Sequence, residues 1–351
     1  MIRSLTSLRG WLIVAVVIFH GTNNYVFAIF TSFAMSMFFM LSGFSLAGKY
    51  HFQELDTGGY LSFLKRRLLR IYPLHIILVL LFSLKFLYSQ FFQGEDCDHW
   101  ASLLPQVLLV QSWIPIRRVY FSFNGVAWFL SSIMFCYLCF PVVVRWIRRA
   151  GIWRSLLALG GLLAVIMAAS SFLSGPPKSW LVYIFPPMRL VDFGVGIAIR
   201  LVYDNCRQGK YARLRDISSA RAVLAEIGLI LAIGAFFTLQ YVGVLDRFNS
   251  EPFTLSLCAL LLLAVSLADG RRTMLQAVVN IAPATWLGHL SYEIFMLQLV
   301  VLAVTVDLFR ICNVQVAAPL WVLLYLIILV AVAFLWNSAQ KWFLNHRKEG
   351  R

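Results

Sequence analysis

In a chain that is 61% hydrophobic and only 13% charged, ionisable side chains inside apolar runs are the first candidates for chemistry. The run over residues 7–25 opens with Arg9 and carries His20 eleven residues later, with almost only apolar residues between them. Eleven residues make about three helical turns, so on a helix both side chains share a face, roughly 16 Å apart along the axis. If such a helix starts at the cytoplasmic surface, Arg9 lies at that surface and His20 near the middle of the bilayer. An ionisable group at that depth is costly and points to function. A neutral imidazole suits general-base work, and it also serves as a nucleophile.

Three further pairs repeat the pattern. Arg67 and Arg70 are three apart in "RLLRIYP" and share a helix face. They read either as a basic anchor that fixes topology or as an anion clamp, because two arginines grip phosphate in a fork that lysine cannot match. Arg189 and Asp192 are three apart and follow Pro186-Pro187 inside an apolar run. They read as a mutual ion pair, or as partners of a ligand or of His20. His289 and Glu293 are four apart, on one face of a late apolar run. An intramembrane glutamate is rare enough to favour a functional site over a structural Glu–His pair.

Other motifs read more plainly. Cys136 and Cys139 form a CxxC, but "MFCYLCF" lacks flanking polar ligands, so packing is expected there rather than a metal or redox centre. Ser42-Gly43 suits close helix packing. Trp128 suits an interfacial aromatic belt. Cys97 and Cys312 are the two cysteines expected at the outer face, where an oxidising compartment would let them pair if they are close.

These residues need a scaffold, and the composition supplies it. A mean hydropathy of +0.80 over 351 residues describes a polytopic membrane protein. Ten runs have the length a bilayer requires: 10–30, 31–48, 72–92, 125–145, 153–173, 180–202, 222–243, 253–269, 286–309 and 317–337. The fold class is therefore an all-α polytopic membrane protein of about ten transmembrane helices. With the N-terminus inside, 23 of the 30 Lys and Arg fall in inner segments and five in outer loops, so both termini are expected in the cytoplasm. That distribution also accounts for the net charge of +15 without nucleic acid. No cleavable signal peptide, internal repeat or interdomain linker is evident, so residues 1–351 read as one domain. The longest outer segment, about 93–124, contains an apolar stretch, residues 103–116, that reads as a re-entrant or interfacial helix and a lid over an outward opening. Pro73 is expected at the entry to the third span. The break at Pro186-Pro187 is expected to face protein or a wet cavity. Read without any relatives, midplane charges and a broken helix also fit a transporter or flippase.

The order of motifs resembles the acyltransferase family 3 membrane proteins. An arginine followed by a histidine in the first span matches Arg9 and His20. The stretch "FFxLSGF" matches "FFMLSGF" from Phe38, and an RxxR before "YP" matches Arg67 and Arg70. The stretch "WFLS" matches Trp128 to Ser131, with Pro141 beyond, and "LGxxSYxxYLxH" is met by "LGHLSYEIFMLQ". The resemblance covers nearly the whole chain and implies transfer of an acyl group, most often acetyl, to an extracytoplasmic carbohydrate. Such acceptors include O-antigen, lipopolysaccharide, exopolysaccharide and lipid-linked glycans, and the setting is a bacterial inner membrane. The expected partners are acyl-CoA, the glycan acceptor and membrane lipid, with acetyl-CoA as donor and no metal.

Within that frame Arg9, Arg67 and Arg70 are expected to hold the phosphates of acyl-CoA, while the pantetheine arm extends towards His20. His20 is then general base or acyl carrier, and Glu293 or Asp192 orients its imidazole as a carboxylate does in a triad. The chain departs from the pattern in three places. The family's acidic residue before the first arginine is replaced by "SLTS", and the histidine that ends the late motif is Gln298. The SGNH-type extracytoplasmic domain of many members is not expected here.

Overall fold

The computed structural model describes residues 2–22, 25–50, 57–92, 94, 100–211, 219–246, 249–271, 273–313 and 318–349. Among them there is no strand, and ten helices are long and apolar enough to cross a membrane. These are α1 (Arg3–Thr22), α2 (Tyr25–Lys49), α3 (Thr57–Phe92), α4 (Trp128–Ala150) and α5 (Ile152–Ser171). They continue as α6 (Pro186–Arg207), α7 (Ser219–Tyr241), α8 (Glu251–Ala268), α9 (Ser291–Ile311) and α10 (Ala318–Glu349). The ten expected spans all correspond to helices, displaced mainly at their ends.

Two of those displacements matter for chemistry. Helix α1 begins at Arg3, so Arg9 lies nearly two turns inside it. The residues before it are not a solvated lead-in: Ser4, Thr6 and Ser7 are buried. Ser4 bonds to Asp269, Gln276 and Asn280, and Ser7 to Thr285 at 2.7 Å. The polar "SLTS" is thus satisfied by α8's C-terminal end and the short helices Met274–Val279 and Ala282–His289. Helix α3 runs 36 residues, about 54 Å, and Pro73 lies within it rather than at its entry. The proline removes one helical bond. The Tyr292 hydroxyl donates to the carbonyl of Ile71 nearby at 2.6 Å.

Helices α2 and α6 form the centre, with 78% of the apolar window buried in α2 and in the span Gly175–Arg207 that contains α6, while α3, α5, α7 and α10 bury less than a third of theirs. The α2–α6 crossing is set by two glycines. A Cβ at Gly43 would collide with the carbonyl of Phe193, and one at Gly196 with that of Met40. The close packing expected of Gly43 is therefore present. A second crossing, between α1 and Ala282–His289, works the same way: Gly10 lies against the Ala284 carbonyl and Gly288 against that of Thr6. The two crossings hold α1, α2, α6 and the start of α9 together, and these elements carry most of the ionisable residues singled out above.

The expected break in span six is a turn of π-helix, Trp180–Ile184, before Pro186. Its Val182 carbonyl accepts from Arg189 Nη2 at 2.8 Å. Between α3 and α4, residues 100–127 fold as short helices and turns stitched by buried amides. Gln106 Nε2 donates to the carbonyls of Val119 and Ser122, Gln111 Nε2 to that of Ala127, and Asn124 Nδ2 to that of Met296. Irregular backbone buried in protein needs such partners. Leu109 and Phe123 here adopt positive φ, a strain that the surrounding packing must hold.

Candidate active site

Two cavities enter the bundle from opposite ends. The larger, about 1220 Å³, opens where α1, α3 and α9 begin and α2 and α6 end. Arg9, Arg67 and Arg70 all line it, so the tertiary structure brings the three expected arginines to one place. Lys49, Arg200 and Arg207 line it too, against Asp204 and Asp269 as the only carboxylates among the described residues. Its inner end is different in kind, walled by Phe38, Phe129, Ile133 and Phe295. It is a funnel with a cationic mouth and an aromatic floor.

The arginines are held by different means. Arg9 Nη2 donates weakly to the Leu41 carbonyl and to Ser45 Oγ, at 3.4 and 3.3 Å. Arg67 sits over the rings of Phe63, Tyr50 and Tyr137 at 5.4 to 5.8 Å and donates to the Tyr50 hydroxyl at 3.1 Å. Stacked guanidinium groups keep their edges for an anion. Burial alone raises the Tyr50 phenol, but the hydrogen bond and charge of Arg67 outweigh it and leave the phenol below its ordinary range. Arg200 is engaged by Asp204 through Nε and stacks on Phe44 and Tyr203.

Glu293 lines neither cavity. It is fully buried and binds Arg70 Nη2 at 2.9 Å and Asn337 Nδ2 at 3.2 Å through the same oxygen. The partners the sequence suggested, His289 and His20, give way to an arginine on α3 that no spacing rule connects to α9. Glu293 therefore stands behind Arg70 and fixes its guanidinium, which also lies over the Tyr292 ring at 5.5 Å. His289, by contrast, faces the basic cavity.

Asp192 also lines neither cavity. It pairs with Arg189 at 2.8 Å, both fully buried, and Arg189 reaches Glu251 at 3.6 Å and Ser36 at 3.0 Å. The mutual-pair reading of this motif matches the geometry, with Glu251 added from α8.

His20 lines the second cavity, about 620 Å³, at the other end of the bundle. Its Nδ1 lies 2.9 Å from the Val16 carbonyl, one turn back on α1. A backbone carbonyl there favours the Nδ1–H tautomer, which leaves Nε2 as a base. Among the described residues no carboxylate bonds to the ring. Trp128, Tyr120, Tyr183 and Phe121 share the cavity with Arg117 and Ser179. Trp128 is 4% exposed and packs on Tyr183 at 4.9 Å, so it belongs to this cavity and not to a lipid-facing aromatic belt. From the outer segment in which a lid was expected, Arg117, Tyr120 and Phe121 line this cavity.

Arg200, Arg207 and Lys49 were not singled out from the sequence. Arg200, Asp204 and Arg207 are four and three apart and so share a face. That spacing was visible, but at a helix end it does not differ from a topology signal. Cys136 is buried in the core and Cys312 is exposed, while the expected Cys97–Cys312 pairing lies outside the described residues because Cys97 is not among them.

Residues 2–337 match the family model described as "Acyltransferase domain". The chain is 28% identical over 330 residues to "Acyltransferase MdmB" of Streptomyces mycarofaciens, covering 85% of this chain and 78% of that relative. No solved structure matches.

Proposed function

The chain belongs to the acyltransferase family represented by that model, and we propose that it carries an acyl group, acetyl by preference, from cytoplasmic acyl-CoA to a hydroxyl of an extracytoplasmic or lipid-linked carbohydrate. One observation carries the reading: a cationic cavity and a histidine cavity enter the same bundle from opposite ends and approach one another at its middle.

The basic cavity suits acyl-CoA because the two are graded alike. Arg67, Arg70 and Arg9 meet the phosphates, and the aromatic floor meets the acyl end. Glu293 holds Arg70 for this purpose, and the Arg189–Asp192–Glu251 cluster fixes the π-turn that carries Tyr183 into the second cavity. The carboxylates first considered as partners of His20 become positioning residues in this account. His20 Nε2 takes the proton of the acceptor hydroxyl, and the oxygen bonds to the acyl carbonyl carbon. The C–S bond breaks, and the CoA thiolate takes the proton back from the imidazolium. O-antigen, lipopolysaccharide and exopolysaccharide sugars are the acceptor class, in a bacterial inner membrane with both termini in the cytoplasm. The aromatic residues around His20 suit the apolar faces of sugar rings.

Membranes containing the chain, given radiolabelled acetyl-CoA, should transfer label to a glycan fraction. Membranes with His20→Ala should not, at equal protein level. Absence of acetyl-CoA-dependent labelling from the unaltered protein, together with sided uptake of a glycan, would replace the enzyme with a transporter.

A further inference from the structure

Among the described residues, Phe295 alone lines both cavities. Its side chain is buried and packs edge-on against Phe129, with ring centroids 5.3 Å apart. Phe129 packs on Phe39 at 4.5 Å and on Trp128 at 6.2 Å. Phe129 faces the basic cavity and Trp128 the histidine cavity, so one aromatic layer separates the two.

We propose that the Phe295 ring is the end stop of the acyl pocket and sets the length of the acyl chain that is accepted. This rests on the reading that acyl-CoA occupies the basic cavity. For transfer, the acyl carbonyl must come to the boundary between the cavities, where the acceptor hydroxyl waits beside His20. Every carbon beyond the carbonyl then has to fit against Phe295 and Phe129 or displace them. A ring packed on a second ring and backed by a third is not easily displaced, since interiors resist overpacking. A short acyl chain fits beneath the layer and a long one does not. In a tightly walled apolar pocket one methylene changes discrimination by about tenfold or more.

The test needs no identified acceptor. The full chain in lipid nanodiscs is titrated with CoA and with acetyl-, butyryl-, hexanoyl- and octanoyl-CoA. The parent should bind acetyl-CoA at least tenfold more tightly than octanoyl-CoA. Phe295→Ala should remove or reverse that preference. Phe295→Leu keeps the site apolar, guards against a folding defect, and should shift the preference by fewer carbons. An unchanged chain-length profile in a folded variant that still binds CoA would overturn the end stop while leaving the donor site standing. Failure of the parent to bind CoA or acetyl-CoA would overturn the donor site, and the end stop with it.

Discussion

His20 is oriented by its own helix. A backbone carbonyl at 2.9 Å takes the place a carboxylate holds in a triad, so under the proposed function an imidazolium at His20 would gain less stabilisation than beside a charged partner. Removing the imidazole should therefore cost what a positioned base typically supplies, about 10²–10⁴-fold in turnover. His20→Ala should lose that much in a transfer assay with CoA binding unchanged, and turnover within a few-fold of the parent would refute the role. Under the proposed function Glu293 belongs with the donor side, behind Arg70. Glu293→Gln keeps a hydrogen-bonding group for Arg70 and Asn337 but removes the charge that fixes the guanidinium. Its expected signature is a raised KM for acyl-CoA with kcat largely kept. A selective loss of kcat would mean that the carboxylate reaches the reacting atoms after all. Arg67→Lys should raise the same KM, because an ammonium loses both the fork and the stacking over Tyr50, Phe63 and Tyr137.

At the scale of elements, two features hold the site. The α2–α6 crossing depends on carbonyls lying where a Cβ would be. Gly43→Ala and Gly196→Ala should each lower stability by about 1–3 kcal/mol through overpacking. Gly160→Ala on α5, where a Cβ meets nothing within 4 Å, should be neutral. Thermal unfolding in detergent distinguishes them, and equal melting temperatures for all three would show that the crossing yields without cost. The second feature is the buried cluster of Arg189, Asp192 and Glu251. Arg189→Met leaves two carboxylates without their cation and should cost about 3–5 kcal/mol, the usual penalty for breaking a buried pair. It should also free the Val182 carbonyl and loosen the π-turn. Retained stability with lost transfer would instead place the cluster in the chemistry.

Over the whole molecule, the arrangement is a bundle with a basic mouth at one end and a histidine-lined cavity at the other, which under the proposed function separates donor from acceptor. The exposed Cys312 lies at the end of α9, on the His20 side. In intact cells carrying Cys97→Ser, a membrane-impermeant maleimide should label Cys312, while a tag at the C-terminus should stay protected from added protease. The reverse pattern would invert the bundle and put the basic mouth outside, where acyl-CoA is absent.

Much of this was legible in the amino-acid order alone. Span number and helix type follow from apolar run length, which the bilayer dictates locally. The orientation expected from charge asymmetry is of the same local kind. The Arg9–His20 and Arg67–Arg70 relations are also local, since each pair sits on one helix and helical geometry fixes its face and separation. The structure decided what depends on residues far apart in sequence. Arg70 claims Glu293 from 223 residues away, and Glu251 joins the Arg189 pair from another helix. Trp128 turns inward because the loop before it is buried, which hydropathy does not register. Phe295 becomes a boundary only when α1, α2, α4 and α9 are packed around it. Spacing rules describe one helix at a time, whereas a cavity is made by the faces of several helices. Those faces meet through glycine crossings whose register no single segment specifies.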